Sequence, residues 1–225
     1  MAIPSVTTAI GNVVDEDLRS DVEDELEWDP AVPSTSIAVS VTDHAVTLAG
    51  TVHLLAHRLA AVHAAQRIKG VHAIVDEIVV APANAAGTSD EEIGIAVEHA
   101  LESSTVPEGI RATVRDGVIT LTGTVEHHYE TSAATNRIRD IKGVTWVCND
   151  IEVKAQAVEK VVRSRIVSAL HRNADLDSRN IHVMAADHEI WLSGTTRSLA
   201  AKGHAEAAAW ATPGVETVHN NIVVA

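Results

Sequence analysis

The chain has 225 residues and a formal net charge of −14, from 31 acids against 17 lysines and arginines. That balance excludes the broad basic footprint that nucleic-acid phosphates require, and it disfavours wide electrostatic attachment to anionic lipid. A single cysteine excludes an internal disulfide framework, and with no Phe, one Tyr and four Trp the cores must be built from Val, Ile, Leu and Ala.

The first residues, MAIPSVTTAIGNVV, read as an N-terminal extension over 1–14, with no Lys or Arg before Arg19 and no long Leu-rich core. That is not a secretory pattern, so the expected location is cytoplasmic as written, and periplasmic if a leader has been removed. No run approaches the roughly 18 apolar residues of a membrane span. Leu18, Val22 and Leu26 then recur every fourth residue, which predicts an amphipathic helix. Its acidic stretch, DEDLRSDVEDELEWD over 15–29, reads as the wet face of that helix. Its functional alternative is a surface that attracts cations or a basic partner.

Ile37, Val39 and Val41 alternate at period two and predict a half-buried strand. An Asp43-His44 turn leads to a second strand with Val46 and Leu48 inward. Gly50 is expected to close that strand, an Ala-rich helix follows with Ala61, Ala65 and Ile68 inward, and Gly70 is expected to cap it. A third strand carries Ile78 and Val80. The stretch APANAAGTS, residues 81–89, reads as a flexible linker.

The same order then returns twice, 73 residues on from Gly50 to Gly123 and 71 further to Gly194. Helix stripes recur as Ile93-Val97-Leu101 and Val162-Ile166-Leu170, and first strands as Ile110-Ala112-Val114 and Ile181-Val183-Ala185. Turns recur at Asp116 and Asp187, and second strands as Ile119/Leu121 and Ile190/Leu192. The crossover-helix lines become Ala134-Ile138-Ile141 and Ala205-Ala209-Thr212, ended by Gly143 and Gly214. Ile151/Val153 and Ile222/Val224 complete the third strands. Each unit is therefore helix–strand–strand–helix–strand, with two helices on one face of a three-stranded mixed sheet. The fold class is α+β, three tandem αββαβ modules over 15–81, 89–154 and 155–225, with a linker at 82–88. Units of about 65 residues are marginal alone, so they are expected to pack on each other. KAQAVEK, residues 154–160, is short and helix-prone and predicts a stiffer join between the second and third units than between the first two.

The segments VTLAGTV…IKGVHAIVDEIVV, ITLTGTV…IKGVTWVCNDIEV and IWLSGTT…TPGVETVHNNIVV resemble the BON domain, a small bacterial αββαβ module. The first copy departs in having Asp76 where the others have Asn149 and Asn220, and the third in having Thr195-Thr196 for Thr-Val. The resemblance implies a non-catalytic module associated with phospholipid or envelope attachment, osmotic-shock protection, secretins and mechanosensitive channels. It also implies a second possibility, since one cytoplasmic relative joins a BON unit to a LysM unit and binds potassium. The glycines Gly50, Gly70, Gly123, Gly143, Gly194 and Gly214 carry over as fold residues and not as a binding site.

His53 and His57 lie one helical turn apart with His63 beyond, a spacing that can chelate a metal only with a third ligand and an outer shell. The siblings carry Glu126/Glu130 and Arg197/Ala201 there, so solvated histidines are the favoured reading. His127 and His128 point apart on a helix. Cys148 reads as a small structural strand residue. No catalytic constellation or cofactor motif emerges, so no enzyme and no cofactor is expected.

The third unit departs from its siblings. Residues 1–87 and 88–154 hold 12 acids each against 4 and 6 bases, whereas 155–225 hold 7 and 7, so the first two units are acidic and the third is neutral. Trp191 stands where the others have Thr47 and Thr120, and Trp210 where they have Gln66 and Arg139. An outward face of His182, Met184, Trp191, His219 and Val223 is expected on its sheet, with Trp210 on another face. Large apolar residues at wet positions mark a contact surface: packing against another unit, a homo-oligomer contact, lipid headgroups or a protein partner. The sequence thus predicts a binding or adaptor protein of osmotic or envelope stress. The alternative is a cytoplasmic cation or small-ligand sensor.

Overall fold

The structure is a computed structural model describing residues 6–81, 88–102, 109–154, 180–186, 189–212, 215 and 217–225. The expected helix of Val162, Ile166 and Leu170, the turn at Asp187, the glycine at 214 and most of both connecting segments (82–87 and 155–160) lie outside the described residues.

In chain order the elements are α1 (Val6–Trp28), β1 (Ile37–Thr42), β2 (Ala45–Val52), α2 (Leu55–Arg67) and β3 (Ala73–Val80). The second unit holds α3 (Asp90–Leu101), β4 (Arg111–Arg115), β5 (Val118–Val125), α4 (His128–Ile138) and β6 (Trp146–Val153). The third shows β7 (Ile181–Ala186), β8 (Glu189–Thr196), α5 (Leu199–Trp210) and β9 (Thr217–Val224). The helix α1 reaches back to Val6, into the stretch read as an extension.

The strands form three separate three-stranded sheets, each with the second strand central. First and second strands pair antiparallel across a tight turn, while second and third pair parallel. A parallel neighbour cannot be reached by a hairpin, so the chain must cross over through a helix. The crossover helices α2, α4 and α5 do that. In α2 and α5 the lines Ala61/Ala65 and Ala205/Ala209 are fully buried, as are Ala134 and Ile138 in α4. The central-strand pairs Val46/Leu48, Ile119/Leu121 and Ile190/Leu192 are buried to 1% exposure or less beneath them. Of the expected inward residues, Ala185 is exposed.

Two roles expected of the glycines are corrected. Gly50, Gly123 and Gly194 do not close their strands, since β2, β5 and β8 each run two residues further. At all three the β-carbon of any other residue would collide with the backbone that enters the first strand, at Ser36, Gly109 and Asn180 respectively. Nor do Gly70 and Gly143 cap helices. The helices α2 and α4 are already closed at Ile68 and Arg139. Gly143, at φ 90°, lies in a following turn in which the Val144 N–H donates to Ile141 O at 3.3 Å. A positive φ at the third position of such a turn favours glycine.

The hairpin turns hold Asp43, His44, Asp116 and Gly117 at positive φ. These two turns, of the first and second units, are each held by a carboxylate from the helix before them. Asp15 accepts the N–H groups of Asp43 and His44 at 2.9 and 3.2 Å, and Asp90 accepts those of Asp116 and Gly117 at 2.8 and 3.0 Å. The departing Asp76 is also explained. Asp76, Asn149 and Asn220 each accept the N–H two residues on, a task for a side-chain oxygen of either type. The extra charge on Asp76 is met by Arg58 Nε at 2.8 Å.

Among the described residues the buried side chains of the first two units form one continuous cluster, and those of the third a second cluster. The stiffer join expected between units two and three is therefore not mirrored in the cores. The crossover helices meet head to tail. The Ala56 N–H at the start of α2 donates to Arg139 O at the end of α4, at 3.2 Å. His128, the first residue of α4, stacks on Trp210, the last of α5, with ring centres 4.5 Å apart. Leu199, the first residue of α5, packs on the core of the first two units, and α5 itself lies against α2.

Candidate functional site

The third sheet's pleat sends alternate residues to opposite faces, and the strand register decides which of them become neighbours. Met184 pairs with Trp191 and Trp191 with His219, so the three form one row across β7, β8 and β9. The Trp191 and His219 rings stack at 5.1 Å and 12°, and His219 Nε2 lies 2.9 Å from Glu189 Oε2. Glu189 thereby fixes the imidazole, and the imidazole fixes the indole. Met184 is 66% exposed and Val223, on the same face, 60%. His182 is exposed one row away, where it pairs with Ser193. The corresponding rows in the sibling sheets are Ser40, Thr47 and Val75, and Thr113, Thr120 and Cys148. Cys148 is half-buried there and its sulfur is unbridged.

Trp210 is not part of that row. It lies at the seam between units two and three, stacked on His128. Beside it is a cleft of about 240 Å³ lined by Glu126, His127, His128, Tyr129, Val153, Trp210, Ala211, Thr212 and Val215. His127, the residue before α4, stacks on Tyr129 at 5.5 Å, and both adjacent histidines line this one cleft although neighbours on a helix are expected to point apart. The carboxylate of Glu130 accepts the N–H groups of Glu126 and His127 at 2.9 and 2.8 Å, which fills the anion-attracting start of α4. Burial pushes the His128 imidazole below its usual value, opposed by the nearby Glu206 carboxylate.

The cleft was missed by sequence reasoning because its walls come from two units. Its only sequence signals are the ring-rich run His127-His128-Tyr129 at a helix start and an indole at the far end of a sibling helix. Two other exposed indoles were also passed over. Trp28 is 85% exposed at the end of α1, and Trp146, 45% exposed, lies under the Arg58 guanidinium at 5.0 Å.

The candidate metal histidines are not brought together. His53 Nδ1 donates to Ala81 O at 2.9 Å, His57 Nδ1 is buried without a hydrogen-bond partner, and His63 is exposed. Among the described residues no three His, Cys, Asp or Glu side chains gather as a metal site. No described helix is long and apolar enough to cross a membrane.

Comparison with known proteins places this geometry. The chain is similar to Osmotically-inducible protein Y of Escherichia coli (strain K12), at 31% identity over 113 residues, which is 47% of this chain and 56% of that protein. It spans little more than half the length of that relative. Among solved structures, CdsD, a structural protein of the type III secretion system of Chlamydia trachomatis, aligns over 93% of this chain and 92% of its own, at 14% identity and a TM-score of 0.27. The C-terminal domain of CdsD aligns over 99% and 100%, at 16% identity and the same TM-score. Likeness at that level adds nothing to the fold already described. The BON domain family matches residues 14–82, 89–155 and 159–225, one match to each sheet with its crossover helix, and the chain belongs to that family.

Proposed function

We propose that this chain is a non-enzymatic binding protein of osmotic stress that docks on phospholipid through the outer sheet face of its third unit. The stress assignment rests on the similarity to an osmotically inducible protein. The docking assignment rests on one observation. The Met184–Trp191–His219 row puts a thioether and an ordered indole outward, where one sibling row carries Ser40 and Thr47 and the other Thr113 and Thr120.

Trp is favoured at membrane–water boundaries because its ring is apolar with one polar N–H. The charge distribution supports the same choice. Residues 155–225 balance 7 acids with 7 bases, so this unit approaches an anionic headgroup layer without the repulsion its acidic siblings meet. Attachment driven by insertion of apolar side chains is only weakly sensitive to salt.

Flotation with phosphatidylglycerol and phosphatidylcholine vesicles tests the reading. The chain is expected to float with vesicles at both low and high salt. A Met184→Thr/Trp191→Thr variant, which gives exposed Met184 and half-buried Trp191 the Thr-Thr pair of the second unit, is expected to stay at the bottom of the gradient. A chain that floats with neither vesicle, or a variant that floats as well as the parent, overturns it.

A further inference from the structure

We propose that the cleft between the start of α4 and the end of α5 binds a quaternary ammonium group. Two stacked ring pairs form its walls, His127 on Tyr129 and His128 on Trp210. A cation with its charge spread over methyl groups is attracted to indole and phenol faces and needs no hydrogen-bond acceptor. Among the described residues Glu126 is the only carboxylate or ammonium-type charge lining the cleft, so that lining carries an acid and no Lys or Arg. The carboxylate of Glu130 accepts the N–H groups of Glu126 and His127 just before α4, which puts a negative charge where an anion would otherwise approach the helix start.

Three further observations narrow the guest. A bare hard cation needs six or more oxygens around it, and among the described residues the side-chain oxygens of the lining come only from Glu126, Tyr129 and Thr212, the last already donating to Ala208 O at 3.4 Å. At about 240 Å³ the cleft is smaller than the roughly 300–1,000 Å³ that drug-sized ligands occupy, which suits a compact head group. Burial keeps the His128 ring toward its neutral form, so it does not repel a cation, and Glu206 adds negative potential beside it. None of these residues belongs to the Met184–Trp191–His219 row, so this site and the docking face stand or fall separately.

The test is calorimetric titration of the full chain with choline chloride, against sodium chloride at equal ionic strength and against 3,3-dimethylbutan-1-ol, the uncharged carbon isostere of choline. Saturable binding of choline alone is expected, weakened about tenfold or more by Tyr129→Leu and by Trp210→Leu, and weakened also by Glu126→Gln. Tyr129 is 63% exposed, so its replacement leaves the core intact and keeps the test meaningful if the Trp210 variant unfolds. No saturable heat, equal binding of the uncharged isostere, or unchanged affinity in Tyr129→Leu overturns the proposal.

The source of the group is read in a second arm. Phosphatidylcholine vesicles that displace choline from the parent chain, and still do so from Met184→Thr/Trp191→Thr, identify a lipid headgroup. Choline binding that such vesicles leave untouched identifies a free small molecule. Either result supports the site.

Discussion

A methyl group added at Gly123 would sit 2.7 Å from Gly109 O and 3.1 Å from Ile110 Cα, both backbone atoms that cannot rotate away. Gly123→Ala is therefore expected to cost about 2 kcal/mol or more, read as a lowered denaturation midpoint of the second unit. Gly94→Ala is the matched control, because nothing lies within 4 Å of its added carbon and its place is the interior of α3. There the change should stabilise by about 0.5–1 kcal/mol. Spacing alone marked Gly123 as necessary but could not say why, since a strand-closing glycine and a glycine crowded by a neighbouring chain entry look alike in one sequence. His128 carries a second expectation at this scale. Its folded-state pKa lies below the ordinary 6.5, so the unfolded chain binds the proton more readily. Its neutral burial costs nothing above pH 6.5, and stability falls as pH drops from there toward the folded-state value. Thermal melts at pH 7.5 and 5.5 should show a smaller acid-induced loss in His128→Gln than in the parent, and an equal loss would refute this contribution.

Crossover helices gain their close seat from alanine. Ala61, Ala64 and Ala65 are completely buried in α2, where a longer side chain has nowhere to go in an interior packed to crystal density. Ala65→Leu should cost about 1–3 kcal/mol by overpacking, and urea unfolding of the purified variant would show it. A stabilised or unchanged variant would mean that α2 sits further from its sheet than the burial indicates. Element identity was the most legible part of this chain, because period-four and period-two apolar patterns repeated in register leave little choice of type. The bracing of two hairpin turns by Asp15 and Asp90 was not legible, since each bond spans more than 25 residues and an acid within α1 or at the start of α3 reads equally well as solvated. The face of the third sheet was legible for a different reason: Trp191 breaks a Thr-Thr precedent, and strand alternation then says which way it points.

Contacts between the units were the least legible, because no periodicity within one unit says which surface of another it meets. Trp210 stood out as a departure from Gln66 and Arg139, and two of these three aligned positions do the same job. Arg139 O receives the start of α2, and Trp210 receives the start of α4. Repeats joined head to tail in this way use two different surfaces at every contact, and such an arrangement either closes or keeps growing. Here α5 lies back against α2, which closes the circuit within one chain. The expected outcome is a monomer of 23.8 kDa in sedimentation over a wide concentration range, because among the described residues each crossover helix already meets another within the chain. Trp210→Asp places a carboxylate near Glu206 and removes the indole from His128, so it should open the α4–α5 contact. The freed surfaces are then complementary to those of another opened chain, and concentration-dependent dimers are expected in the variant alone. A parent chain that already sediments as a dimer would show that the circuit is completed between chains instead, with the same contacts shared across two copies.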